Sequence, residues 1–124
     1  MKYFLDTYAL VEITKRNPAF EKFASSRECA TGDLNVMELY YLALRDFGEK
    51  AAEADYANFS KIMLRHDAED MKSAMKTRLQ TSRERRAGLS YADAVGYAMA
   101  QRRSLAFVTG DNAFKETPGV EFVK

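Results

Sequence analysis

With 124 residues, the chain is long enough to bury one substantial hydrophobic core, and we expect residues 1–124 to form a single domain. Its formal net charge of +1 excludes a global electrostatic field that would draw nucleic acid or a membrane, so either partner must meet a local patch. The single cysteine, Cys29, and single histidine, His66, exclude an intrachain disulfide and argue against zinc sites and a serine–histidine–aspartate triad. Any chemistry must therefore use carboxylates.

The sequence predicts a cytoplasmic protein. The N-terminal run MKYFLD is too short for a signal peptide, and no stretch approaches the roughly 20 apolar residues of a membrane span. A single cysteine also suits a reducing compartment, where Cys29 is expected to pack as a small buried hydrophobe.

The first predicted elements are a strand and two short helices. The run at 2–5 is β-prone, and Asp6 then predicts the N-cap of a helix over 8–15. The residue before Pro18 is pushed out of the helical region, which ends that helix, and a second helix is expected over 18–24.

A long apolar helix is predicted in the middle of the chain. Residues 28–31 precede it as a strand candidate, chosen mainly because a helix cap follows them. The helix begins at Asp33 or at Asn35 and ends before Gly48, and apolar residues on nearly all its sides predict that it is buried. An amphipathic helix over 51–64 is expected next.

A basic helix is predicted over 68–86, with Gly88 as its stop. Met71, Met75 and Leu79 recur on it at helical spacing, which is typical of core or of contact with a partner helix. Lysines and arginines are frequent among its other residues.

The last third predicts a helix, a buried strand and an edge strand. Ser90 caps a small-residue helix that contains Asp93, residues 105–108 form the buried strand, and residues 120–123 form the last one. Strands that alternate with helices predict an α/β fold of three layers, with a mainly parallel central sheet of four to five strands flanked by helices.

Four carboxylates occur where such a fold places ligand-binding groups. Asp6 and Asp111 follow strands, at the sheet edge where open α/β folds bind ligands, and Glu38 and Asp93 lie near the starts of helices. Each also has a purely structural interpretation: Asp6 as an N-cap, Asp111 as a turn residue, and Glu38 and Asp93 as members of capping boxes that begin at Asn35 and Ser90.

In combination, the four acids predict a site for a hard divalent cation. Glutamate is rarely buried without a partner, yet the helical neighbours of Glu38 are largely apolar. Carboxylates that converge in one cleft repel one another, and Mg²⁺ removes that conflict while it keeps waters and binds substrate phosphate oxygens. Such a site suits hydrolysis of a phosphodiester.

The ordered set Asp6 in FLDTYAL, Glu38 in NVMELYY, Asp93 in SYADAVGYAMA and Asp111 in VTGDNAF resembles the acidic quartet of the PIN-domain ribonucleases. Among these the chain is most similar, over its whole length, to the VapC-like toxins of prokaryotic toxin–antitoxin pairs. The resemblance implies a PIN-like fold and an endoribonuclease that uses one or two Mg²⁺ or Mn²⁺ ions. It also implies a homodimer, silenced by a cognate antitoxin protein whose C-terminal segment lies across the active-site groove.

The resemblance also implies a role for each site residue. Asp6 and Asp93 are the principal metal ligands. Glu38 ligates the ion or orders the attacking water, and Asp111 supplies a further contact through water. Thr109 matches a polar position that supports the site. The expected cleavage leaves a 5′-phosphate and a 3′-hydroxyl.

Substrate recognition depends on the rest of the cleft. Tyr8 stands where the family often has a small polar residue, which alters the shape of the cleft and hence the choice of substrate. Contacts to RNA phosphates are expected from the basic helix and from Arg102 and Arg103. The candidates to touch RNA are Lys76, Arg83, Arg85 and Arg86.

Two other functions match parts of the pattern. A PIN-like module that holds RNA or a protein partner without cutting would bind independently of Mg²⁺ and would still bind with Asp6 or Asp93 replaced by Asn. A phosphotransferase of the haloacid-dehalogenase type also starts with an acid after the first strand. That class needs a second Asp two residues on, where this chain has Tyr8.

Overall fold

The structure, a computed structural model, describes the backbone of residues 1–85 and 89–124 and the side chains of residues 1–81 and 89–124. That part of the chain contains five strands and six α-helices. The strands are β1 (Tyr3–Leu5), β2 (Cys29–Gly32), β3 (Met63–Leu64), β4 (Ala106–Thr109) and β5 (Val120–Phe122). The helices are α1 (Thr7–Thr14), α2 (Glu21–Ala24), α3 (Asp33–Phe47), α4 (Glu49–Phe59), α5 (Ala68–Arg85) and α6 (Tyr91–Arg102). Single turns of 3₁₀-helix cover Pro18–Phe20, Ser60–Ile62 and Asn112–Phe114.

All five strands run parallel in one sheet, in the order β3–β2–β1–β4–β5. The chain starts at the centre, builds outward through β2 and β3, and then crosses to the other side of β1 for β4 and β5. In such sheets a crevice opens at the carboxyl ends of the two strands where the order reverses, here β1 and β4. The predicted α/β fold with a parallel sheet is confirmed, and the last strand lies at an edge as expected.

Side chains of the central strands alternate between the two faces of the sheet, so each strand serves two layers of helices. Phe4 and Phe107 stack on one face, with 5.8 Å between ring centroids, in a cluster that includes the buried residues of α6. Leu5 and Val108 point to the other face and pack with residues of α1 and α2. Strands covered on both sides have continuous apolar sequences, which is why β1 and β4 could be predicted from the sequence.

Helix α3 is only partly buried, so the prediction that it is buried on nearly all sides is wrong. Its inner face buries Val36, Leu39 and Ala43, whereas Tyr41 is 61 % and Phe47 79 % exposed on its outer face. Burial depends on which elements pack against a helix, and in the described part of the chain α3 has neighbours on part of its circumference. Apolar residues also occur on protein surfaces, so the sequence alone does not show which face of α3 is covered.

The stretch predicted as one amphipathic helix over 51–64 is divided in the structure. Helix α4 ends at Phe59, a 3₁₀ turn follows, and β3 then pairs with Thr31 and Gly32 of β2. A strand of two residues is too short to show an alternating pattern, so the sequence could not reveal it. Only its pairing with β2 identifies it.

Helix α5 carries the predicted apolar stripe on its surface. Met71, Met75 and Leu79 are 49 %, 39 % and 53 % exposed, so the stripe is not part of the core of this chain. Contact with a partner remains the other interpretation. The predicted helix stop at Gly88 lies outside the described residues. Neither α5 nor any other described helix combines the length and apolar character needed to cross a membrane.

Candidate active site

Asp6 stands at the carboxyl end of β1, beside the crevice between β1 and β4. Its backbone N–H donates to the carbonyl of Val108 in β4 at 3.2 Å. Its side chain caps α1 by accepting the Ala9 N–H at 2.8 Å, and the residue is only 1 % exposed. Asp6 is therefore the N-cap that the sequence suggested, and the same buried carboxylate lies at the crevice.

The end of β4 brings Thr109 and Asp111 to the same crevice. The buried Thr109 hydroxyl accepts the Asp111 N–H at 3.0 Å and donates to the carboxylate of Asp6. Asp111 is half-buried and caps the following 3₁₀ turn by accepting the Ala113 N–H at 3.0 Å. Asp111 is thus a turn residue, and Thr109 connects its backbone to Asp6.

Glu38 reaches the crevice from α3. The helix begins at Asp33 with Gly32 as its N-cap, so the capping box considered for Asn35 and Glu38 does not form. Glu38 is half-buried and accepts a hydrogen bond of 2.5 Å from the Thr7 hydroxyl. That hydroxyl in turn accepts the side-chain N–H of Asn35 at 3.2 Å. One oxygen of Glu38 is therefore held by the protein.

Asp93 comes from the first turn of α6, whose small residues bring it close to the sheet. The Ser90 hydroxyl accepts the Asp93 N–H at 3.1 Å, as the predicted capping box requires. Ala92 and residues 94–100 of the helix are buried, whereas Tyr91 and the last two residues are exposed. A Cβ at Gly96 would lie 3.1 Å from the Asn35 side-chain oxygen and 3.3 Å from the Phe4 ring, which explains a glycine in mid-helix.

The acids influence one another electrostatically. Burial raises the pKa of Asp6 to about 7, and the negative charges of Asp93 and Asp111 add to the rise, against the opposing effect of its hydrogen bonds. Burial likewise raises the pKa of Asp93 to about 6, and the charges of Asp111 and Glu38 contribute in the same direction. The structure thus brings Asp6, Asp93 and Asp111 onto one crevice, and Glu38 lies beside it, bonded to Thr7 of the lining and close enough to act on Asp93.

The crevice opens into a cleft of about 350 Å³. Asp6, Asp93 and Asp111 lie on its lining, and Lys15, at the end of α1, is the one basic side chain among the described residues that line it. Sequence reasoning missed Lys15, which had only the signal of a residue at a helix end. Its proximity to the acids depends on how α1 lies against the sheet.

The donor set suits a hydrated divalent cation. Among the described side chains, no three His, Cys, Asp or Glu residues form a group that could enclose a metal ion. Mg²⁺ commonly takes only one or two protein carboxylates and keeps several waters. Burial and nearby negative charges raise the pKa of Asp6 and of Asp93, so a cation beside them would offset their desolvation and repulsion. The residues present therefore fit Mg²⁺ or Mn²⁺ held with waters.

Metal-free protein is expected to lose stability as the pH rises through the titration range of Asp6. An unfolded aspartate ionises near pH 3.9 but Asp6 in the folded protein near pH 7, so the free energy of unfolding should fall between about pH 4 and pH 7. Asp6→Asn removes this effect and keeps the N-cap, because Asn caps helices as well as Asp does. In EDTA, the stability of the variant relative to wild type should therefore rise across that interval. Urea unfolding measures the difference, and a constant difference would contradict the raised pKa.

Tyr8, the departure from the family pattern, is accommodated by Gly110. The Tyr8 ring packs against Phe20 with 6.1 Å between centroids, and it lies over Gly110. A Cβ at Gly110 would overlap both the Tyr8 ring and the backbone oxygen of Val123. The large side chain on the cleft wall thus depends on the glycine that follows β4.

Gly110→Ala is expected to lower the free energy of unfolding by about 2 kcal/mol, within the range typical of overpacking. The added methyl group meets the Val123 backbone, which cannot rotate away as a flexible side chain would. Urea denaturation measures the loss. The double variant with Tyr8→Ser should recover part of it, because one of the two obstacles is then gone. A Gly110→Ala protein as stable as wild type would contradict this packing.

Of the four candidates named to touch RNA, the structure describes the side chain of Lys76, which is exposed on α5. The side chains of Arg83 and Arg85, and the whole of Arg86, lie outside the described residues. Contact between these four residues and RNA therefore stays a prediction.

A family model for the PIN domain matches residues 3–120. No curated protein matches the sequence. The fold is similar to that of VapC20 from Mycobacterium tuberculosis, a sarcin–ricin loop cleaving toxin, with a TM-score of 0.81 and 20 % identity over 99 % of this chain and 100 % of that one. It is also similar to DNA-bound VapBC from Salmonella typhimurium (TM-score 0.78, 20 % identity, 98 % and 96 % covered). VapBC2 from Rickettsia felis, bound to a promoter DNA fragment, has a TM-score of 0.76 at 18 % identity, with 100 % of both chains covered. Because the family model spans nearly the whole sequence, this chain belongs to the PIN-domain family.

Proposed function

We propose that this chain is a Mg²⁺- or Mn²⁺-dependent endoribonuclease and the toxin of a toxin–antitoxin pair. One observation carries the proposal: acids from β1, α3, α6 and the turn after β4 meet where the strand order reverses, with the pKa of two of them raised. Groups perturbed in this way cluster at functional sites. Membership of the PIN-domain family supports nuclease activity.

The residues of the chain bind and orient in this proposal. Asp6 and Asp93 would hold one or two divalent ions, and Glu38 and Asp111 would act through water. When bound, such an ion would supply an activated water for in-line attack on the phosphodiester and would neutralise the charge that develops there. Thr109 keeps the carboxylate of Asp6 in one orientation by its hydrogen bond. The products would be a 5′-phosphate and a 3′-hydroxyl.

An antitoxin and a second copy of the chain are the protein partners we propose. The similar folds of the VapBC structures from Salmonella typhimurium and Rickettsia felis support an antitoxin. The exposed stripe of Met71, Met75 and Leu79 supports a contact surface for either partner. We also propose a cytoplasmic location, because the cysteine, Cys29, is buried and unpaired.

Cleavage of total cellular RNA by the purified, antitoxin-free protein tests the proposal. We expect discrete fragments in Mg²⁺ or Mn²⁺ and intact RNA in EDTA. Protein shown by circular dichroism to be folded that leaves RNA intact with both metals would overturn the proposal. RNA or partner binding that ignores metal would then identify a non-catalytic PIN-like module.

Lys15→Gln is expected to weaken RNA binding several-fold and to reduce the slope of log affinity against log salt by about 0.7, the value for one phosphate of a single strand. Lys15 lines the acidic cleft, so a substrate phosphate that reaches the acids passes close to it. Lys50→Gln is the matched control, since Lys50 is exposed on α4 and absent from the cleft lining. Fluorescence anisotropy in EDTA at several salt concentrations measures both quantities. An unchanged slope in Lys15→Gln would exclude this contact.

A further inference from the structure

We infer that Asn35 is a positioning residue of the acidic site, which acts through Thr7 to hold Glu38. The effect of this positioning on catalysis rests on the proposed function. Asn35 is only 1 % exposed, and its side-chain N–H donates to the Thr7 hydroxyl at 3.2 Å. The same hydroxyl donates to Glu38 at 2.5 Å. Three side chains from two helices thus form one chain of hydrogen bonds that ends on an acid of the crevice.

The chemistry of the three groups sets the direction of this chain. An ionised carboxylate only accepts hydrogen bonds, so the contact with Glu38 requires the Thr7 hydroxyl hydrogen to point at it. The structure gives this contact a length of 2.5 Å, with the Thr7 hydroxyl as the donor. The amide N–H of Asn35 occupies an acceptor position on the same hydroxyl oxygen. With Asn35 in place the hydroxyl is held at both ends, and the second oxygen of Glu38 is left for water or a hydrated ion.

The other polar atom of Asn35 argues against a role in stabilising the fold. Its side-chain oxygen is buried and lacks a hydrogen-bond partner in the described part of the chain. Such an atom costs free energy that an apolar side chain of the same shape would avoid. Space around it is tight, since a Cβ at Gly32 would lie 2.7 Å and one at Gly96 3.1 Å from this oxygen. A polar side chain kept at the expense of stability is typical of a functional site.

A second threonine on the other side of the crevice has the same arrangement. The Thr109 hydroxyl accepts the Asp111 N–H at 3.0 Å and donates to Asp6. In both places a donor occupies the threonine oxygen while the hydroxyl hydrogen goes to an acid. For Thr109 the donor is backbone, which mutation cannot remove, whereas for Thr7 it is the side chain of Asn35. The orientation of Glu38 therefore depends on the residue at position 35.

Asn35→Leu removes the bond to Thr7 and keeps a branched side chain, although leucine is the larger residue. We expect kcat for RNA cleavage and the Mn²⁺ affinity of the RNA-free protein to fall roughly ten- to hundredfold, as for other groups that orient metal ligands. KM should change little. The urea midpoint is expected to fall somewhat, because leucine is larger than asparagine and the space is tight, and circular dichroism establishes that the variant is folded. Should Asn35→Leu fail to fold, Asn35→Ala serves the same comparison. Wild-type kcat and Mn²⁺ affinity in a folded variant would overturn the inference.

A double-mutant comparison separates positioning through Thr7 from a general structural role. Thr7→Val should reproduce the losses of Asn35→Leu, and the double variant should be no worse than Thr7→Val alone. Thr7→Ser keeps the hydroxyl and should retain most of the activity and Mn²⁺ affinity. Losses that multiply in the double variant would mean that Asn35 acts independently of Thr7, contrary to the inference.

A measurement on metal-free protein distinguishes failure of this inference from failure of the proposed function. Three-bond NMR couplings to the Thr7 γ-methyl should report a single χ1 rotamer in wild type and averaging in Asn35→Leu. If Thr7 stays fixed in the variant, Asn35 does not position it, whatever the activity. If the couplings change as expected while wild type neither binds Mn²⁺ nor cleaves RNA, only the proposed function fails.

Discussion

Asp93→Asn is expected to slow metal-dependent RNA cleavage by about a thousandfold or more while the fold stays intact. Asp93 is one of the two acids assigned to the ion, and a bound ion contributes several kcal/mol of transition-state stabilisation, at about tenfold in rate per 1.4 kcal/mol. Asn has the same shape, so the Ser90 hydroxyl can still accept the backbone N–H at position 93. Single-turnover cleavage of a labelled RNA in Mg²⁺ measures the loss.

A matched control for this variant is Asp55→Asn. Asp55 is half-buried on α4 and does not line the cleft, so its substitution should leave cleavage within about twofold of wild type. Circular dichroism and urea unfolding establish that both variants are folded. Substantial cleavage retained in both Asp93→Asn and Asp6→Asn would contradict the assignment of the site.

Asp70→Ala is expected to lower the free energy of unfolding by about 3 kcal/mol. Its fully buried side chain accepts hydrogen bonds from Arg102 at 2.7 Å, from Arg103 at 2.9 Å and from the Asp67 N–H at 2.9 Å, which ties the start of α5 to the end of α6. Removing one partner of a buried ion pair typically costs about 3–5 kcal/mol. The lower end applies here because both arginines are partly exposed and can regain water. Equilibrium urea denaturation measures the change.

The difference in the free energy of unfolding between wild type and Asp70→Ala is expected to depend on pH. Burial by itself raises the pKa of Asp70, but bonds from Arg103, a backbone N–H and Arg102 outweigh that effect and hold the pKa well below its usual value. Its contribution to stability is therefore complete above the unfolded value of about 3.9 and is lost as the pH falls below it. The gap between wild type and Asp70→Ala should be widest at neutral pH and should close in acid.

The control for Asp70 is Glu69→Ala on the same helical turn. Glu69 pairs with Lys72 at 3.5 Å, and both side chains are about two-thirds exposed, so the expected change is below about 0.5 kcal/mol. Similar small losses in the two variants, or a gap for Asp70→Ala that does not depend on pH, would show that the buried ion pairs contribute little.

Local features of this protein were determined by its sequence alone. The strands before Asp6 and Asp111, the cap at Ser90 and the small-residue helix around Asp93 follow from preferences that act within a few residues of chain. The fold class, the parallel sheet and the positions of the four acids at the ends of strands and the starts of helices could therefore be predicted. The resemblance to PIN domains rests on the same local motifs.

Only the tertiary structure decided which distant groups meet. Thr7 lies 28 residues from Asn35, and nothing in the sequence indicated that hydrogen bonds connect the two side chains to Glu38. Arg102 and Arg103 were predicted to contact phosphates, and the structure pairs both with Asp70, which the sequence had not indicated. Backbone propensity and hydropathy are read along the chain, whereas these contacts depend on how helices lie across the sheet. The sequence could predict the acids, and packing decided how they are held.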